Sequence, residues 1–395
     1  MHRLALKLAE GLLLAIALGC QDDAGPSDAG STFDASRSSD ASSRDASSQD
    51  AAADASTSTP GDASSGGDAA PLVDVGMALD ATANDASSAR DAGGAPSTLA
   101  EAHPGDLGMG ADPAVIWFED FEAGSLAAIT ARYDQSRDNG RMTLVTDTPR
   151  GSGFALALRA GGSEPAIDLY KQLPDADEWF VRWYARYEAD GPWHHSGMWF
   201  GGYAPASRWP SPNAGRRPAG DDRFSIAVEP VFDGPRGKRF DFYNYWMGMH
   251  SWMAEPVNDN GSAYWGNALV HQNDFTVDAE TWVCLEVHAR LNDDPSSAAG
   301  AVLEVWKNDA LVQRFDDSGP AGYWIRDKFC PEGADGTECT DYPSPANQVL
   351  DLQMRSTSEL KLNAFWPQNY VTDPASATLT FDQMVVATRR VGCLR

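Results

Sequence analysis

Residues 114–395 predict an all-β domain, a sandwich or jelly roll, on three observations. Short apolar runs recur along this stretch, separated by the Gly, Pro, Asn and Asp that supply turns. No segment longer than a turn or two repeats its apolar residues with a helical period. All 13 tryptophans of the chain lie here, among the Tyr, Phe and Val that favour a pleated, half-buried surface. About 280 residues with no second linker fit one large domain.

The expected strands run in order from Val115–Phe121 through Arg141–Val145 and Phe154–Arg159 to Trp179–Tyr187, whose alternation is the clearest in the chain. Phe224–Val231, Arg239–Trp246 and Trp282–Leu291 follow. Ala301–Lys307 and Ala310–Phe315 flank Asn308-Asp309, a hairpin signal. Leu360–Trp366 and Ala377–Thr388 close the domain. Within Arg239–Trp252, alternation puts Asp241, Tyr243 and Tyr245 on one face and Phe240, Phe242, Asn244 and Trp246 on the other. That pattern reads either as a core strand of an ordinary sandwich or as the wall of a site.

Ahead of the domain stand two other kinds of chain. Residues 1–20 read as an export signal: Arg3 and Lys7, an apolar Gly11–Gly19 too short to span a bilayer, then Cys20. Ala17-Leu18-Gly19-Cys20 resembles the bacterial lipobox, which implies acylation of Cys20 and anchoring at the outer membrane or cell surface. Residues 21–113 collapse to Asp, Ala, Ser and Gly, with Asp-Ala-Ser recurring at Asp34, Asp40, Asp45, Asp54, Asp62 and Asp85. With 17 acids against 3 bases over 21–112, this stretch is expected to be a disordered, self-repelling linker.

The chain carries a net charge of −27, and its acidic domain is a poor match to nucleic acid. Nine bases against six acids between Val181 and Arg239 make one locally basic zone, suited to an anionic ligand or simply a solvated face. Beyond Cys20 the four cysteines of an exported domain suggest two disulfides, with three pairings open. Cys330–Cys339, closing a Gly- and Asp-rich loop, and Cys284–Cys393, tying a central strand to the chain end, are favoured.

Several motifs resemble concanavalin A-like jelly-roll polysaccharide lyases, in particular those acting on alginate and glucuronan. They are Phe118-Glu-Asp-Phe-Glu122 at the start, Trp282-Val-Cys-Leu-Glu286, the hairpin through Gly300–Gln313, and Leu379–Ala387 at the end. Where that family has a Lys-x-Pro-Gly-x-x-Gly-Gly loop, this chain has Trp193-His-His-Ser-Gly-Met-Trp-Phe-Gly-Gly202, with His194 or His195 in the lysine's place. The family's Tyr-x-Tyr is matched by Tyr243 and Tyr245. The resemblance implies a monomeric, surface-anchored protein that cleaves a uronate-containing polysaccharide by β-elimination. The alternative is a lectin-like lipoprotein that binds glycan without cutting it.

β-Elimination needs a group that stabilises the carboxylate as it becomes enolate-like, a base for the C5 proton and an acid for the leaving oxygen. Arg223, with Arg182 in reserve, is the expected neutraliser, since a guanidinium grips a carboxylate at two points. Tyr243 or Tyr245, with a pKa lowered by nearby cations, or His194 or His195, would exchange the protons. Substrate contacts are expected from Arg182, Arg186, Trp199, Trp246, His250, Trp265, Asn267, His271 and Gln272. A retaining or inverting hydrolase would need paired carboxylates. The nearest candidates, Glu229 and Asp233, are interrupted by Pro230. No cofactor is implied; a structural calcium would draw on Glu119, Asp120 or Asp382.

Overall fold

Seventeen strands follow one another in a computed structural model that describes residues 97–207, 214–254, 257 and 262–395. They are β1 (Val115–Glu119), β2 (Gln135–Arg137), β3 (Met142–Val145), β4 (Ala155–Gly161), β5 (Ala166–Ala176), β6 (Glu178–Tyr187), β7 (Gly197–Tyr203), β8 (Arg223–Gly234) and β9 (Gly237–Phe242). After them come β10 (Val283–Arg290), β11 (Val302–Lys307), β12 (Ala310–Phe315), β13 (Ala321–Ile325), β14 (Lys328–Pro331), β15 (Gln348–Val349), β16 (Leu362–Tyr370) and β17 (Ser376–Ala387). The export signal with Cys20, and the linker as far as residue 96, lie outside the described residues.

The strands form two large antiparallel sheets and a small one. The eight-stranded sheet runs β12-β11-β10-β6-β17-β4-β3, with β1 also paired to β17. The six-stranded sheet runs β2-β5-β16-β7-β8-β9. Their inner faces bury one continuous core that includes Trp179, Val181, Trp183, Leu285 and Val287 from one sheet and Ile167, Phe200, Ile226, Val228, Phe240 and Phe242 from the other. Period-2 alternation is what produces this packing, because every second side chain of each strand points inward. The all-β sandwich expected from the sequence is therefore the fold.

Both favoured disulfides are present: Cys284–Cys393 and Cys330–Cys339. Residues 97–113, expected in the linker, are instead folded. Thr98 caps the helix α1 (Leu99–Ala102) in a capping box with Glu101. Leu99 and Met109 pack with Val385, Ala387 and Val391 on the eight-stranded sheet.

Several strand expectations differ: Arg239–Trp246 pairs as β9 only as far as Phe242, and β2, β5, β13, β14 and β15 have no counterpart among the expected strands. Gly197–Tyr203, expected as a loop, is the strand β7. Its Gly201 lies so close to β8 that a Cβ there would sit 2.3 Å from the Phe224 carbonyl oxygen. In addition, β8 continues past Pro230, with its register shifting between Pro230 and Phe232, the kind of bulge at which a strand proline is tolerated.

Candidate functional site

The outer face of the six-stranded sheet gathers the chemically interesting side chains. Alternation along β8 turns Arg223, Ser225, Ala227 and Glu229 outward. Beyond β9 the chain stays beside β8: the Tyr243 amide donates to the Ala227 carbonyl, and Ser225 and Tyr245 pair through both backbone groups. Tyr243 and Tyr245 thus follow Arg223 and Glu229 along one lane. On β7, Trp199 lies opposite Ala227, and on β16 Trp366 lies opposite Trp199.

His195 completes this arrangement. It precedes β7 in a left-handed conformation, φ 46°, which non-glycine residues seldom adopt. Its Nδ1 meets Glu229 Oε1 at 2.9 Å, and Glu229 Oε2 accepts a hydrogen bond from Trp199 Nε1 at 3.1 Å. Glu229 is buried at 2% exposure, so both of its oxygens are held in a dry setting. The His195 ring lies 4.6 Å from that of Tyr243 and 5.8 Å, stacked, from that of Tyr370. Nε2 of His195 makes no hydrogen bond among the described residues, and the side chain keeps 18% of its surface exposed.

The two tyrosines differ from expectation in electrostatics. Burial, then the neighbouring Tyr245 and Glu229, push the Tyr243 hydroxyl well above the ordinary phenol pKa. Tyr245 is raised too, chiefly by burial. A phenolate activated by nearby cations is thereby ruled against, and a protonated phenol that donates is favoured. One face of the Tyr243 ring is covered by Gly266, where a Cβ would fall 2.2 Å from Cδ1, so only glycine lets the backbone lie there. His194 differs from His195 as well. Burial and the adjacent imidazole lower its pKa to about 3, and Nδ1 sits 3.1 Å from Thr372 Oγ1, so it is a neutral wall residue rather than a base.

Arg223 lies at the opposite end of the lane, cross-strand from Tyr203, with Nη1 2.5 Å from Asp222 Oδ2. Its charge is thus offset before any substrate arrives. Other expected contacts are placed elsewhere. Arg182 is fully buried on the outer face of the eight-stranded sheet, paired with Asp106 at 2.5 Å under the folded 97–113 segment. Arg186, on the same strand, pairs with Asp147 and Glu280. Trp246 is a core residue whose Nε1 donates to the Asp351 carbonyl.

Asn267 and His271 are also fully buried and structural. Asn267 bridges both backbone groups of His250. His271 sits between Asp241 and Glu338, and Asp241 accepts the backbone amides of Leu269, Val270 and His271. Gln272 bonds the Gly333 carbonyl, Trp265 is half-buried, and His250 stacks on Trp324 at 3.9 Å.

Among the described residues, the grouping with metal-ligand spacing is His271, Cys330 and Cys339. Because the two sulfurs are joined to each other, no thiolate is there to bind a metal. The calcium expectation finds no such grouping either. Glu119 accepts from Arg132 and the Phe121 amide, and it does not gather with Asp120 and Asp382 within the 4.8 Å that would mark a shared ion.

Three residues of the lane were not foreseen as site residues. The sequence marks Glu229 only as half of a hydrolase pair, and does not mark Trp366 or Tyr370 as site residues. Trp366, Gln368 and Tyr370 share one face by period 2, which was the available signal.

No family model and no curated protein matches the sequence. Among solved structures, the alginate lyase Aly36B, as a mutant in complex with alginate tetrasaccharide, is 10% identical, with TM-score 0.41 over 70% of this chain and 95% of that one. The PL-14 alginate lyase from Aplysia kurodai is 13% identical, with TM-score 0.42 over 69% and 99%. The carbohydrate recognition domain of Emp47p is 11% identical, with TM-score 0.38 over 70% and 99%.

Proposed function

We propose that the outer face of the six-stranded sheet binds a glycan containing uronate and cleaves it by β-elimination. The observation that carries this reading is the placement of His195, oriented by buried Glu229, against the protonated phenol of Tyr243. With Nδ1 held on Glu229, His195 Nε2 takes the C5 proton of the uronate. The electron pair left at C5 forms the C4–C5 double bond as the C4–O4 bond breaks. Tyr243 donates its proton to the departing O4, and the proton on His195 returns the pair to its starting state through solvent. Tyr245 stands beside Tyr243, and Arg223 lies further along the lane, where a guanidinium can meet a uronate carboxylate of the bound chain. The protein is carried at the cell surface by an acylated Cys20, a reading that rests on the lipobox-like sequence.

A second reading is favoured by one specific observation: Arg223 already pairs with Asp222, so carboxylate stabilisation is weakened and the lane would hold sugar without cutting it. Absorbance from unsaturated uronate, followed on a panel of uronate-containing polysaccharides, separates the two. Loss of that signal in His195→Ala and Tyr243→Phe supports elimination. Binding without any product in the unaltered protein supports the lectin-like reading.

A further inference from the structure

Away from the glycan lane, His271 keeps a ring nitrogen that no described neighbour bonds. The side chain is fully buried. Its Nδ1 lies 2.8 Å from Glu338 Oε1, and because an ionised carboxylate only accepts, Nδ1 is the donor. Nε2 is buried as well and has no hydrogen-bond partner among the described residues. Buried polar atoms seldom stay bare. A ring nitrogen of His271 and the sulfurs of Cys330 and Cys339 lie within 4.8 Å of one another, and all three residues are buried. Histidines that ligate metals share this arrangement: a carboxylate takes one N–H, fixes the tautomer and aims the other nitrogen. Glu338 is itself held, since Arg239 Nη2 donates to both of its oxygens at 2.8 Å.

Bonds other than the disulfide keep these residues together. The amides of Asp335 and Gly336 donate to the His271 carbonyl at 3.2 and 2.9 Å. The Tyr323 hydroxyl donates to the Cys339 carbonyl at 2.7 Å, and Tyr323 is the cross-strand partner of Cys330. The two cysteine Cα atoms stand 5.7 Å apart. Once the S–S bond is open, rotation about each Cα–Cβ bond separates the sulfurs without moving the backbone.

We infer that the chain, reduced at Cys330–Cys339, binds a soft divalent cation of the zinc type through Cys330 Sγ, Cys339 Sγ and His271 Nε2. Two thiolates and an imidazole are a nitrogen and sulfur set suited to zinc, with the fourth position left to water. The reductant is a dithiol, which is oxidised to its own disulfide. Its two electrons and two protons convert the protein disulfide into two thiols, and the cation then displaces both thiol protons to solvent. The loop from Cys330 to Cys339 is thus closed by a covalent bond when oxidised and by a metal when reduced. This site is independent of the glycan lane.

The test reduces the full chain with a dithiol, removes the dithiol under inert gas, and titrates with Co²⁺ or Zn²⁺ alone. One equivalent of Co²⁺ is expected to give thiolate-to-metal charge-transfer absorption, and Zn²⁺ to raise the melting temperature of the reduced chain. The oxidised chain is expected to show neither. Glu338→Gln is expected to keep the cobalt bands and to weaken zinc binding about 10–100-fold. Cys330→Ser with Cys339→Ser leaves every other cysteine in place and is expected to abolish the bands. Bands of equal strength in that double variant overturn the assignment, because other thiols then hold the metal. A reduced chain that gives no bands, or that zinc does not stabilise, overturns it too, and full zinc affinity in His271→Ala removes the histidine from the site.

Discussion

His195 and His288 each hold a glutamate through Nδ1, at 2.9 and 2.6 Å, one over the six-stranded sheet and one on the eight-stranded sheet. The pairs look alike, but their surroundings do not. His288 also gives Nε2 to Glu178 at 2.7 Å and stacks on Phe180 with centroids 4.0 Å apart, so both nitrogens and a ring face are occupied. His195 keeps Nε2 clear of hydrogen bonds among the described residues and faces a phenol. The same division holds across the two outer faces. On the eight-stranded sheet, Arg182 is closed off by Asp106, and Glu286 by the amides of Val391 and Gly392. Identical residue types thus do structural work where the charged groups are paired internally, and offer chemistry where a ring nitrogen is left for a ligand.

This contrast can be broken most sharply at His195. His195→Ala is expected to lower turnover by about 10²–10⁴-fold, the range for losing a general base, with the denaturation midpoint little changed. Steady-state rates alongside thermal melts check it. An equal loss of rate from His288→Gln would show that the two sites do not differ as described.

Next in size comes the mirror experiment. Arg182→Met leaves Asp106 buried and unpaired, with an expected loss of about 3–5 kcal/mol in stability. Turnover per folded molecule is expected to be unchanged, which denaturant unfolding and active-fraction measurements together determine. A selective loss of substrate binding instead would return Arg182 to the role first expected of it.

A smaller effect is expected at Glu229. Glu229→Gln keeps the shape while removing the charge that orients His195, so a fall of about 10–100-fold and a displaced pH–rate profile are expected. The same range applies to partners that orient a ligating or catalytic histidine. A purely structural glutamate would lower the melting temperature and leave the pH profile in place.

The fold class was legible because alternation survives in almost every long strand, Trp179–Tyr187 above all. The disulfides were legible because four cysteines allow only three pairings, one of which closes a short Gly- and Asp-rich loop. Glu229 was not legible as His195's partner, since their meeting depends on the register between β7 and β8, which local sequence does not encode. The strand β7 itself was hidden because Gly197, Gly201 and Gly202 read as turn formers. At Gly201 glycine is needed for close approach to β8 instead. Arg182 misled for a third reason. Its partner Asp106 lies in a segment whose composition matches the linker before it, so the cover over Arg182 could not be seen.

A pH-dependent effect is expected at Asp382, on β17 of the closed face. Burial raises its pKa to about 8; Arg150 opposes this, while Glu122 and Asp120 add to it. Its Oδ2 has no hydrogen-bond partner among the described residues. A carboxyl whose folded pKa exceeds its unfolded value near 3.8 gives its full contribution to stability below that value. As pH rises from about 4 to about 8, the unfolded chain releases the proton while the folded chain retains it, and stability falls. Stability is expected to fall over that window, and Asp382→Asn is expected to flatten the fall and to be the more stable protein at pH 8. Melting temperatures of both proteins from pH 4 to 9 decide the matter. Parallel curves would mean that Asp382 ionises normally, and that the outer face of the eight-stranded sheet is less closed than the contrast with His195 requires.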